Sequence, residues 1–153
     1  MPRRLRSVTG RRSFGERWDS AVAQISRELL PDQDLTIFTI VGPLSVPEGR
    51  AAVEDFHTQQ PTTNLLWDFT EAGMNDFTAA DVRSIAMLVE SHASSRPGGR
   101  TAMVAASDFT FGLGRMYEIT AETRDLPLTV AIFRTREEAL AWLSAASADG
   151  TAG

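Results

Sequence analysis

The sequence predicts an α/β domain: a mostly parallel sheet of about five strands, opened by an N-terminal hairpin and accompanied by about four helices. Three observations predict it. From Leu35 onward, short apolar runs with strand character alternate with segments whose apolar residues recur at helical spacing. A Ser or Thr followed three residues later by Glu or Asp stands at the head of three of those helical segments. Proline- and glycine-rich breaks separate the segments, and strands alternating with helices of this length imply right-handed crossovers.

Ile25-Ser26-Arg27-Glu28-Leu29 fits a helix carrying Val22, Ile25 and Leu29, or a strand that pairs with the next apolar run. The strand is favoured, because Pro31-Asp32-Gln33-Asp34 is a turn: proline sets φ, and the short polar side chains bond locally. Leu35–Val41, rich in β-branched and aromatic residues, is the clearest strand. Gly42-Pro43 stops it. Ser45 and Glu48 then form a capping box with Pro47 in the first turn, and the helix buries Ala52, Val53 and Phe56 before Pro61.

In Asn64–Thr70, Leu65, Trp67 and Phe69 alternate with Leu66, Asp68 and Thr70, as in a central strand. Thr78 and Asp81 cap a helix carrying Val82, Ile85, Ala86 and Val89, and Arg96-Pro97-Gly98-Gly99 turns the chain back. Thr101–Ala106 is a short central strand. Ser107-Asp108 opens a helix with Leu113, Met116, Tyr117 and Thr120. Leu128–Phe133 is the last strand, and Thr135 with Glu138 caps a helix carrying Ala139, Leu140, Trp142 and Leu143. The organisation expected is a basic arm over residues 1–20, a domain over residues 21–146, and a tail over residues 147–153 that frays.

The chain has no cysteine, which excludes thiol catalysis and Cys-based zinc sites. All fifteen basic residues are arginine, so lysine nucleophiles are excluded as well. Six arginines within residues 1–17 face the single acid Glu16, whereas the remainder sets nine arginines against nineteen acids. An acidic body disfavours nucleic acid as a partner. No apolar run reaches the roughly 20 residues that span a bilayer, so stable membrane insertion is not expected. Arg11-Arg12-Ser13-Phe14 opens like a twin-arginine export signal, but Trp18-Asp19-Ser20 stands where the apolar region belongs; a cytoplasmic location is expected.

Candidate chemistry is sparse. His57 and His92 lie late in different helices without ligand spacing and are expected on solvated faces; no metal or cofactor is expected. Asp68, Glu71, Asp76 and Asp108 belong near the carboxyl edge of the sheet, where open α/β sheets bind ligands. Asp108 is read as a helix cap, and Glu71 and Asp76 as solvated charges. Asp68 alternates within an apolar strand; pointing into a covered face, it needs a partner such as Arg100 or Arg115, or its pKa rises. Gly112-Leu113-Gly114 lacks the setting of a phosphate loop, and its glycines are expected to permit close helix packing or to form a bend. Arg115 is the preferred anion contact.

The strings LTIFTIVGPLS, NLLWDF, GGRTAMVAASDFTFGLGRMYE and VAIFRTREEALAWLS resemble the SpoIIAA-like group of bacterial STAS domains, over Ile25 to Ser144. The resemblance implies the same fold and a non-enzymatic regulatory role through partner switching. In anti-anti-sigma members a serine at the start of the helix after the third strand is phosphorylated. That motif falls on Asp76-Phe77-Thr78-Ala79-Ala80-Asp81, where Phe77 and Thr78 replace the two serines and the glycines are missing. Thr78 is thus the position of a phosphoacceptor, although as a helix cap it requires no further function.

The leading expectation is a domain that docks a protein partner or small ligand at its strand-to-helix edge, through Met74, Asp76, Phe77, Thr78, Asp108, Phe111 and Arg115. An apolar patch around Met74, Phe77 and Phe111 is the expected docking surface, and an exposed apolar helix face would suit a homodimer. Two alternatives stand beside it. One is a carrier of small apolar ligands resembling CRAL-TRIO domains, which requires an apolar cavity of some hundreds of Å³. The other is a divalent-cation-dependent hydrolase or phosphotransferase using Asp68 and Asp76.

Overall fold

The structure, a computed structural model, describes residues 22–152; the basic arm expected over residues 1–20 lies outside the described residues. Strands β1 (Gln24–Leu30) and β2 (Leu35–Pro43) form the expected antiparallel hairpin, with Ile25 opposite Ile40 and Leu30 opposite Leu35. Its connection is a 3-10 turn, Pro31–Gln33, ended by Asp34 at φ 50°. Asp34 also anchors the start of the third strand: its carboxylate accepts from the Thr63 amide (3.0 Å) and its carbonyl from the Asn64 amide (2.9 Å).

The remaining elements are α1 (Val46–Thr58), β3 (Asn64–Gly73), α2 (Ala79–Ser91), β4 (Gly99–Val104), α3 (Asp108–Thr123), β5 (Leu128–Phe133) and α4 (Arg136–Ala152). The five strands lie in chain order, antiparallel between β1 and β2 and parallel thereafter. Each parallel strand sits beside its predecessor and advances in one direction. Right-handed crossovers of that kind carry α1, α2 and α3 to a single face. The last helix, α4, has no following strand and covers the other face.

Period-two alternation therefore sorts the strand residues into two cores. Phe38, Ile40, Leu65, Trp67, Met103, Val130 and Ile132 meet α1–α3, whereas Leu35, Ile37, Leu66, Ala102 and Val104 meet Ala139 and Leu143 of α4. Phe38 and Trp67 are register partners and their rings stack, with centroids 4.3 Å apart. Two of the expected capping boxes form in full: Ser45 with Glu48, and Thr78 with Asp81. Ser107, rather than Asp108, caps α3 by accepting from the Thr110 amide.

Two boundaries differ from expectation. β3 continues past Thr70 to Gly73, because β2 pairs with it as far as Pro43 across a register irregularity between Thr39 and Val41. The backbone of α4 is helical to Ala152, beyond Ser147, through a stretch in which Ala145, Ala146 and Ala148 favour helix.

Candidate functional site

At the carboxyl edge of the sheet, the Phe133-Arg134-Thr135-Arg136 turn sends one arginine to each face. Arg136 lies at the start of α4; its Nε donates to Asp68 Oδ2 (2.9 Å) and its Nη2 to Thr39 Oγ1 (2.8 Å). Asp68 Oδ1 accepts from the amide and hydroxyl of Thr70 across the register irregularity. Burial pushes the Asp68 carboxyl up, but the two Thr70 bonds and Arg136 outweigh it and hold the group below the ordinary carboxylate range.

The partner of Asp68 is thus neither Arg100 nor Arg115. Arg100 pairs in register with Asn64 near the opposite end of the sheet, and its guanidinium lies 5.0 Å from the Trp142 ring centroid. Arg115 is on α3, across the sheet from α4, with its side chain 55% exposed and bonded to Glu118 (2.6 Å). It forms a surface ion pair within one helix.

Arg134 serves the other face. It donates to the Ala106 carbonyl and to Asp108 Oδ1, both at 2.9 Å, and lies 4.0 Å from the centroid of Phe111. Asp108 and Phe111 are thereby brought together by a residue that sequence reasoning did not select. Asp108, with its side chain 96% exposed, does not join Asp68 in a carboxylate pair, because each already serves its own arginine. Among the described residues no three His, Asp or Glu side chains gather so as to hold a metal ion.

The Met74–Thr78 loop departs most from expectation. Asp76 and Thr78 are exposed, but Met74 is 8% exposed and Phe77 5%, so neither belongs to a surface patch. The Phe77 amide bonds the Met74 carbonyl (3.1 Å), a turn that drives both side chains inward. The Phe77 ring lies against Gly49 of α1, where even a Cβ would come within 3.2 Å of its Cζ. Thr78 Oγ1 accepts from the Asp81 amide (3.2 Å) and bonds its carboxylate (2.9 Å), so the hydroxyl is occupied as a cap. Exposed apolar side chains occur on the neighbouring helices α2 and α3, at Met87, Met116 and Ile119.

Met74 and Phe77 instead form part of the wall of a partly open hollow of about 90 Å³ between the sheet and α1–α3. Ile40, Leu65, Trp67, Met103 and Ile132 supply its sheet side; Val53, Val82, Ile85, Val89 and Leu113 supply its helical side. Gly114 lets α3 approach: a Cβ there would lie 2.5 Å from Ile132 Cδ1, as the close-packing reading of that glycine anticipates.

The wall has a polar end made of His57, Arg96, Thr101 and Tyr117, whereas Thr110, in the first turn of α3, lines it towards the carboxyl edge of the sheet. Arg96, 2% exposed, donates through Nε to the Thr62 carbonyl (3.1 Å) and through Nη2 to those of Thr63 (2.9 Å) and Arg100 (3.1 Å). It lies 5.3 Å from the Phe56 ring centroid, and burial lowers its pKa to about 10. The Tyr117 ring is partly exposed, but burial around its phenol pushes that group up to about 12, opposed by the nearby charge of Arg96.

His57 is 6% exposed rather than solvated, because α1 and α2 pack side by side and set His57 against His92, with centroids 5.4 Å apart. Its Nδ1 bonds the Val53 carbonyl (2.9 Å), which makes Nδ1 the protonated nitrogen, while Nε2 is buried without a partner. Desolvation lowers its pKa despite the Val53 bond, so the ring is neutral at pH 7. His92 faces Glu54, with Nε2 3.5 Å from Oε2.

Sequence reading missed this polar end. Arg96 reads as part of a helix-breaking Arg-Pro-Gly-Gly turn, and Tyr117 as one member of an apolar helix face. A cationic turn residue next to a strand start was the available signal. No family model, curated protein or solved structure matches the chain, so what the fold is used for must be argued from this geometry.

Proposed function

We propose that the chain is a non-enzymatic, STAS-like regulatory domain whose hollow takes up a small molecule with an apolar body, and whose Met74–Thr78 loop relays occupancy to a protein partner. The observation that carries this reading is the position of Phe77: its ring forms part of the hollow wall, while Asp76 and Thr78 beside it are exposed at the strand-to-helix edge. A ligand that presses on Phe77 shifts that edge only as far as it binds one loop position better than another. A hollow of about 90 Å³ suits a molecule of a few heavy atoms, since an apolar hollow of about 150 Å³ takes up benzene. It is too small for the lipid cargo of a CRAL-TRIO-like carrier. The engagement of Asp68 by Arg136 and Thr70 speaks against a cation-dependent reaction shared with Asp76.

Methyl NMR during titration with 1-butanol tests the reading, because the two cores provide an internal control. Shifts concentrated on Met74, Met103, Val82, Val89 and Leu113, with Leu35, Ile37 and Leu66 unmoved, are expected. Equal shifts in both cores, or none in the first, would overturn it. Val82→Phe, which fills the hollow from α2, is expected to abolish the response.

A further inference from the structure

A buried cation normally has an anion beside it, because an ionised group removed from water is costly unless paired and fully hydrogen-bonded. Arg96 does not follow that rule. Among the described residues it makes no ion pair, and the hollow it lines contains no Asp or Glu. Three of its five N–H groups are directed at the Thr62, Thr63 and Arg100 carbonyls, which fixes the guanidinium plane. The two on Nη1 have no acceptor among the described residues, although Nη1 is not one of the fully buried atoms left without a partner. The Asp34 carboxylate contributes at long range only, being engaged by the Thr63 amide.

The other polar groups around the hollow suit a negative guest. Tyr117 lines the same hollow as Arg96, and its phenol lies within range of the Arg96 charge. His57 is held neutral by desolvation, with the Arg96 charge acting in the same direction, so it adds no second positive charge. The wall is therefore apolar except for one fixed guanidinium and a few neutral hydroxyl and imidazole groups.

We propose that this end of the hollow is an anion subsite, and that the ligand is a short-chain aliphatic monocarboxylate whose carboxylate meets Arg96 Nη1 and the Tyr117 hydroxyl while its chain lies among Trp67, Met103 and Leu113. The identification rests on the hollow being a ligand site and adds the class of ligand. Arg96 is pre-organised to receive a carboxylate, because its Nε and Nη2 are already satisfied and binding orders no long side chain. The carboxylate replaces nothing that the protein provides and neutralises the one charge in the wall.

Calorimetric titration of the full chain with butanoate, 1-butanol and butylammonium separates the possibilities. Butanoate is expected to bind at least tenfold more tightly than 1-butanol, and butylammonium not at all. Tyr117→Phe, which keeps the ring, is expected to weaken butanoate several-fold and leave 1-butanol unchanged. Arg96→Met is expected to erase the preference for the acid; since Arg96 also joins three carbonyls, its result counts when circular dichroism shows a folded chain, and the Tyr117→Phe result stands independently. Equal or weaker binding of butanoate relative to 1-butanol overturns the anion subsite and leaves the ligand hollow intact. Binding of neither overturns both.

Discussion

Replacing Arg136 by Met tests how α4 is fastened to the sheet. The substitution keeps most of the aliphatic stem and removes the bonds to Asp68 Oδ2 and Thr39 Oγ1. Asp68, with its side chain 8% exposed, then retains only the Thr70 amide and hydroxyl. Breaking a fully buried pair costs about 3–5 kcal/mol. Arg136 is 38% exposed, so water partly replaces it and the expected loss at pH 7 is about 2 kcal/mol. For a domain of this size that is a fall of about 4–8 °C in Tm.

The pH dependence gives the prediction its edge. With Arg136 present, the folded Asp68 pKa lies below its unfolded value, so its contribution is complete above the unfolded pKa and disappears as pH falls through the folded one. Without Arg136, its hydrogen bond and its charge no longer offset burial, so the folded pKa rises. The gap between the two proteins, measured by urea denaturation, should therefore narrow steadily as pH is lowered from about 6 towards about 3. A loss under about 0.5 kcal/mol at pH 7, typical of exposed pairs, or a gap independent of pH, would refute the pairing argument.

Buried groups supply two more predictions. Gly114→Ala places a methyl 2.5 Å from Ile132 Cδ1 and is expected to cost about 1–3 kcal/mol by thermal denaturation, with Gly112→Ala, in open space, costing nothing or stabilising α3. His57 is neutral when folded and has a lowered pKa, so the unfolded chain takes up its proton first; stability should decline as pH falls below about 6.5. His57→Phe should flatten that part of the Tm profile, and a slope unchanged by the substitution would assign it to another group.

Much of the fold was legible because local chemistry dictates it. The Ser45–Glu48 and Thr78–Asp81 caps need only residues three apart, and the strand runs declare themselves by β-branched and aromatic content in β2 and by alternation in β3. The Pro31–Asp34 turn settles the ambiguity at residues 25–29 in favour of a hairpin, since it returns the chain alongside β2. Even the requirement that Asp68 have a cationic partner was readable from its place in an apolar strand.

Which cation it was could not be read, since that depends on the face each residue occupies. By itself the sequence determined the order of elements, their caps and the need for compensation at Asp68. Only tertiary structure decided that α1–α3 share one face, which turned Met74 and Phe77 inward, brought His57 against His92, and left a hollow beside Arg96. The physical reason is range. Caps and alternation act over a few residues of chain, whereas the burial of a charge and the shape of a cavity are set by elements that meet only after the sheet has assembled.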